Sequence, residues 1–89
     1  MSDLEILLQA IEVEVRRARG LHKAINSLHE GYAVLLEEVE EFWDEVKINP
    51  KKLSIADQDK RINNLRKELV QVAAMCIRTV LDCNIEEQR

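Results

Sequence analysis

The chain has 89 residues, a formal net charge of −4 and charged side chains at 34% of its positions; a monomer of that length buries only roughly 60 to 65% of its unfolded surface, so its stability calls for a partner. Abundant aliphatic residues, 2 glycines, 1 proline and 3% aromatics predict a single all-α domain over residues 1–89. The acidic balance excludes a nucleic-acid surface, no apolar run approaches the roughly 20 residues of a membrane span, and the opening MSDLEILL carries acids where a secretory signal carries bases, so the protein is expected in the cytoplasm.

The first helix is predicted over about residues 2–19. Ser2 followed three positions later by Glu5 has the spacing of a capping box, in which the Ser oxygen accepts an orphan backbone N–H and the acid reaches back to the cap. Leu4, Leu7, Leu8, Ile11, Val15 and Ala18 form its apolar stripe, and Gly20 ends or loosens it. Arg16, Arg17 and Arg19 read as a solvated helix end.

Ser27 with Glu30 repeats the capping spacing and opens a second helix over about residues 28–47, which the INPKK segment stops because Pro50 cannot continue it. At about 100° per residue, Tyr32, Leu35, Leu36, Val39, Phe42, Trp43 and Val46 gather into one arc, the expected core face. The acids of this helix divide in two. Glu37, Glu40 and Asp44 lie nearly opposite Phe42 and read as solvated charge. Glu38, Glu41 and Glu45 fall within about 60° of one another on the other border of the core. Like charges so placed repel by a few tenths of a kcal/mol per pair, and they form either an acidic helix border or the wall of a cation site.

Ser54 with Asp57 is the third capping spacing, but residues 54–64 are polar and INN at 62–64 offers another cap. The main third helix is therefore expected over about 60–83, with 48–59 as a loop or short helix. Helix levels lead to the same expectation: Glu41 lies about 9 Å before the end of helix 2, and Glu68 about 21 Å after Ser54 at 1.5 Å per residue, so an antiparallel pair starting at Ser54 leaves them apart. The stretch LVQVAAMCI, residues 69–77, is apolar on nearly every face and predicts a bundle of three antiparallel helices completed by self-association, as a dimer or a dimer of dimers. Cys76 and Cys83, about 10 Å apart on one helix, are beyond disulfide reach and are expected as reduced, buried thiols. Neither they nor His22 and His29 have zinc-ligand spacing.

Glu68 and Gln71 share a face with Met75 beside this apolar run. A carboxylate there is partly buried and needs a partner. A Mg²⁺ ion, or Mn²⁺, held jointly by Glu38, Glu41 and Glu68 supplies one, since hard cations take carboxylate oxygens and keep waters and substrate phosphates.

EEVEE followed by KELVQVAAM resembles the MazG-type all-α nucleoside triphosphate pyrophosphohydrolases, whose pattern is E-x-x-D on one helix after E-E-x-x-E on another. Glu37, Glu38 and Glu41 match the first half and Glu68 the start of the second. The stretch NSLHEGYAVLLEEVEEFWDEVK is similar to short members from phages and mobile elements, and the likeness covers about residues 26–83. It implies a helical dimer or tetramer that binds Mg²⁺ and cleaves a (d)NTP to the monophosphate and pyrophosphate. Gln71 stands at the family's Asp position and brings one neutral carbonyl oxygen to the site. Either Glu45 supplies the missing carboxylate, or the chain binds a nucleotide or a basic protein partner without hydrolysis. If hydrolysis is retained, Glu41 or Glu45 is the expected proton acceptor. Arg61, Lys67 and Arg78 are the candidate phosphate cations. His29 is a candidate nucleotide contact, and Trp43 and Tyr32 either stack on a base or pack in the core.

Overall fold

In the computed structural model, which describes residues 1–85, 87 and 88, three α-helices and one short 3-10 turn account for the secondary structure, with no strand among the described residues. Glu86 and Arg89, the remaining positions of the expected domain, lie outside them. Helix α1 spans Asp3–Leu21, α2 spans Leu28–Val46, a 3-10 turn occupies Pro50–Lys52, and α3 spans Ile55–Asp82.

The three serines cap as their spacing predicts. Ser2 forms the full reciprocal box with Glu5, whereas Ser27 and Ser54 accept the N–H of Glu30 and Asp57 with no reciprocal bond among those observed. Gly20 does not end α1, which runs on to Leu21 before His22 turns extended.

Helix α3 is the element on which both others pack. Antiparallel packing of α2 sets one register along the pair: Glu45 accepts from Asn64 Nδ2 at 3.4 Å, and Glu41 meets Glu68. The Arg19–Asp82 pair, at 3.4 Å, ties the end of α1 to the end of α3, so α1 runs parallel to α3 and the order is up, down, up.

The expected break at residues 60–63 does not occur; α3 is continuous from Ile55. Its first two turns overhang the end of α2 by about 12 Å, counting back from Glu68 opposite Glu41 at 1.5 Å per residue. The connector climbs that distance, and Gln58 Nε2 ties the overhang to it by donating to the carbonyls of Pro50 (3.0 Å) and Leu53 (3.2 Å). Expecting a break assumed that α3 begins level with the end of α2, and the connector removes that requirement.

Where α2 starts, it crosses α3 closely. A Cβ at Gly31 would stand 2.8 Å from Thr79 Cγ2 and 3.1 Å from its Oγ1. Thr79 cannot easily give way, because it is β-branched and its hydroxyl donates to the Met75 carbonyl at 2.9 Å. Gly31→Ala is therefore expected to lower stability by about 1–3 kcal/mol, the cost of overpacking, measured by chemical denaturation.

The closed core is small: among the described residues, Val15, Ala18, Ile25, Ala74 and Met75 are the buried apolar side chains. The expected core arc of α2 is divided. Leu35, Phe42 and Val46 are half-buried, while Tyr32, Leu36, Val39 and Trp43 are exposed. On α3 an exposed row recurs every seven residues, at Ile55, Ile62, Leu69 and Cys76, with Ile77 and Val80 beside it. Cys76 is thus an exposed free thiol rather than a buried one, and Cys83 is a half-buried one. Each row lies about 100° around its helix from the α2–α3 contact, and antiparallel direction carries both to the same side of the hairpin, the side away from α1.

Two global measures agree with this open face. The chain exposes 7018 Å², against roughly 5,400 Å² for a compact monomer of its mass. Its radius of gyration is 15.2 Å, where a compact chain of this length has about 12 Å. No described helix is long and apolar enough to cross a membrane.

Candidate metal centre

Glu38 and Glu41 stand one turn apart on α2, and the antiparallel register brings Glu68 of α3 to them. One carboxylate oxygen from each lies within 4.8 Å of the others. Glu38 and Glu68 are half-buried and Glu41 is exposed. The Oε2 atoms of Glu38 and Glu68 are buried with no hydrogen-bond partner.

Burial, followed by repulsion from Glu41 and Glu68, raises the Glu38 carboxyl above the usual carboxylate range. The same holds for Glu68, where burial acts first and Glu41 second. These are acids crowded together with too few donors. The donor set, three carboxylates with two orphaned oxygens, suits a hard divalent cation.

The solvated set behaves as its helical positions predict: Glu37, Glu40 and Asp44 are exposed, and Asp44 pairs with Lys47 at 3.1 Å. Glu45 lies one turn beyond the cluster, half-buried and hydrogen-bonded to Asn64. Gln71 is half-buried and lines a cleft together with Glu38.

That cleft, of about 410 Å³, has α3 as its floor (Gln71, Ala74, Met75, Arg78) and α2 as one wall (Glu30, Val34, Glu38). Glu14, Arg17 and Ala18 of α1 form the other wall, and His22, Lys23 and Ile25 close its end. Asp82, its side chain 3% exposed, holds that closing segment by accepting from the Ile25 N–H at 3.0 Å while pairing with Arg19.

The candidate cations have separate fates. Arg78 is buried and lines the cleft. Lys67 lines an adjoining hollow with Glu14, Arg17, Arg66, Val70 and Gln71. Arg61 is engaged elsewhere: its Nε and Nη2 donate to the Glu45 and Val46 carbonyls at 3.2 and 3.3 Å, satisfying the C-terminus of α2. His29 is exposed in the first turn of α2 and is not among the cleft-lining residues; its neighbour Glu30 is. Trp43 is exposed on the outer apolar face, with the Lys47 ammonium 5.9 Å from its ring centre.

Sequence reasoning missed the contribution of α1. Glu14 sits between Ile11, Val15 and Ala18 on the apolar stripe and pairs with Arg17 through two bonds of 2.7 and 3.0 Å. The Arg17 guanidinium holds Glu14 below the usual range against the opposing effect of burial, with Lys67 and Arg78 adding to the attraction. An acid breaking into an apolar stripe, with a base three residues on, was the available signal.

Comparison with family models, with curated proteins and with solved structures yields no match.

Proposed function

We propose that the protein is a Mg²⁺-dependent nucleoside triphosphate pyrophosphohydrolase, converting a (d)NTP to the monophosphate and pyrophosphate. The observation that carries this reading is the meeting of Glu38, Glu41 and Glu68 with two buried, unpartnered oxygens beside a cleft that also holds a buried arginine. The MazG-type resemblance supports it on the same residues.

In this reading Glu38 and Glu68 hold the cation, and their crowding keeps the site poised for it. When bound, Mg²⁺ supplies neutralisation of phosphate oxygens and a water that gives up its proton readily. Glu41, the exposed member, would complete the carboxylate set, and Glu41 or Glu45, one turn away, would accept the proton of the attacking water. Gln71 adds a neutral oxygen where a carboxylate would add charge. Mn²⁺ fits the same donors.

The active form is a homo-oligomer joined through the outer face of the α2–α3 hairpin. The unburied area and the seven-residue row on α3 support this, since such a row is a helix-packing seam.

Pyrophosphate release from a panel of dNTPs and NTPs with Mg²⁺ tests the activity. Wild type is expected to be active and Glu38→Ala inactive, while Gln71→Asp, by adding a negative charge, is expected to tighten Mg²⁺ binding several-fold. Release from neither wild type nor Gln71→Asp would reject the hydrolase. Release from Gln71→Asp alone would mark the chain as a degenerate relative that kept the fold and lost hydrolysis.

A further inference from the structure

Arg78 presents a separate problem of charge. Its side chain lies where α3 forms the floor of the cleft, with the residue only 8% exposed. Its guanidinium makes two weak contacts, Nη1 to Met75 Sδ at 3.9 Å and Nη2 to the Lys23 carbonyl at 3.5 Å. The Nε atom is buried with no partner. Among the described residues no carboxylate forms an ion pair with it; Glu14, which it attracts, is already paired to Arg17.

A guanidinium stays protonated at any physiological pH, so it cannot escape burial by losing its charge. Burying an ion without a counter-ion is strongly unfavourable. The structure around it is nevertheless built to keep it there. Asp82 clamps the segment bearing His22 and Lys23 over the end of the cleft, and Glu14 steers Arg17 onto its rim. Three cations, Arg17, Lys23 and Arg78, therefore line one hollow from three different elements, with Glu14, paired to Arg17, and Glu30 on its walls.

We infer that this end of the cleft is a phosphoryl-binding subsite anchored by Arg78, with Arg17 and Lys23 at its rim. A phosphoryl group offers three oxygens to three cationic side chains, where a carboxylate offers two. Along α3, Arg78 stands about 15 Å beyond Glu68 at 1.5 Å per residue, and Glu38, the one member of the carboxylate cluster among the cleft-lining residues, links the anion subsite to that cluster. The subsite brings α1 and the 22–27 segment into ligand binding. It deepens the nucleotide reading above only in the identity of its ligand, because anion binding at Arg78 requires no metal.

Calorimetric titration with inorganic pyrophosphate in EDTA, at constant ionic strength set with sodium chloride, tests it. Wild type is expected to bind, and Arg78→Met to bind at least ten-fold more weakly while its ligand-free melting temperature equals or exceeds that of wild type. Glu38→Gln, which removes a negative charge from the same cleft, is expected to bind at least as tightly as wild type. Titrating a nucleoside monophosphate in parallel separates a nucleotide-linked phosphoryl group from free pyrophosphate: the ligand whose affinity falls in Arg78→Met is the one the subsite holds. No binding of either ligand by wild type, or equal binding by wild type and Arg78→Met, overturns the inference. Should Arg78→Met not fold, the double variant of Arg17→Gln and Lys23→Gln decides, both positions being exposed; undiminished affinity there also overturns it. Intact anion binding in EDTA without pyrophosphate release would reject only the hydrolase.

Discussion

Glu38→Gln is expected to raise the melting temperature of the metal-free protein at neutral pH and to remove its response to Mg²⁺. Glu38 and Glu68 both have carboxyls raised by burial and by neighbouring acids. A raised folded-state value means that the native state holds a proton more tightly than the unfolded chain does. Stability therefore falls as pH rises from the ordinary carboxylate range through the raised value, and the penalty is complete above it. Neutral pH lies above the ordinary carboxylate range from which this penalty begins, and a neutral Gln at position 38 removes that residue's share of it. In wild type the proposed divalent cation is expected to relieve the same repulsion. A ligand of the native state present at a hundred times its dissociation constant adds about 2.7 kcal/mol, and each kcal/mol shifts the midpoint of a domain this size by roughly 4–8 °C.

Scanning calorimetry in EDTA and in Mg²⁺, at several pH values, measures all of this. Glu68→Gln should behave as Glu38→Gln does. Glu37→Gln, altering a solvated acid on the same helix, should leave the Mg²⁺ response unchanged. An undiminished Mg²⁺ shift in both Glu38→Gln and Glu68→Gln would remove the cluster as a metal centre.

Leu69→Glu is expected to abolish the proposed self-association and leave monomers. Leu69 lies midway along the exposed row of α3, next to the exposed apolar residues of α2. The chain's surface exceeds that of a compact monomer by roughly 1,600 Å², about twice what each partner of a standard interface buries. A carboxylate at the centre of such a seam has no partner and must be desolvated. Association should weaken at least a hundred-fold, about 2.7 kcal/mol. Light scattering after size exclusion reads the mass, and a melting temperature that rises with wild-type concentration gives a second measure. A monomeric wild type, or a variant that associates as wild type does, refutes the proposed interface.

The starts of α1 and α2 were readable because capping is local: a serine oxygen reaches a backbone N–H three residues away whatever the rest of the chain does. Pro50 likewise marks the end of α2 within a few residues. The division of the α2 acids follows from about 100° per residue alone, and it places Glu38 and Glu41 at the cluster while Glu37, Glu40 and Asp44 stay in solvent. Glu68 was identifiable because a carboxylate beside an apolar run needs a partner.

The same local logic went wrong where distance along the chain grew. It placed a break in α3 because it could not know how far the 47–54 connector climbs. It treated one apolar arc on α2 as one core face, although only the side toward α3 is covered and Tyr32, Leu36, Val39 and Trp43 face outward. It offered Arg61 to a phosphate, whereas the register places that guanidinium at the α2 carbonyl end.

By itself, then, the sequence determined three helices, the capped starts of the first two and the acids that each face carries, since these depend on periodicity and on contacts a turn apart. Only the tertiary structure decided that Glu41 stands opposite Glu68, that Glu14 and Arg17 of α1 wall the cleft, and that Arg78 is buried without a counter-ion among the described residues. Register and burial are set by contacts between residues far apart in the chain, and no spacing within one helix encodes them.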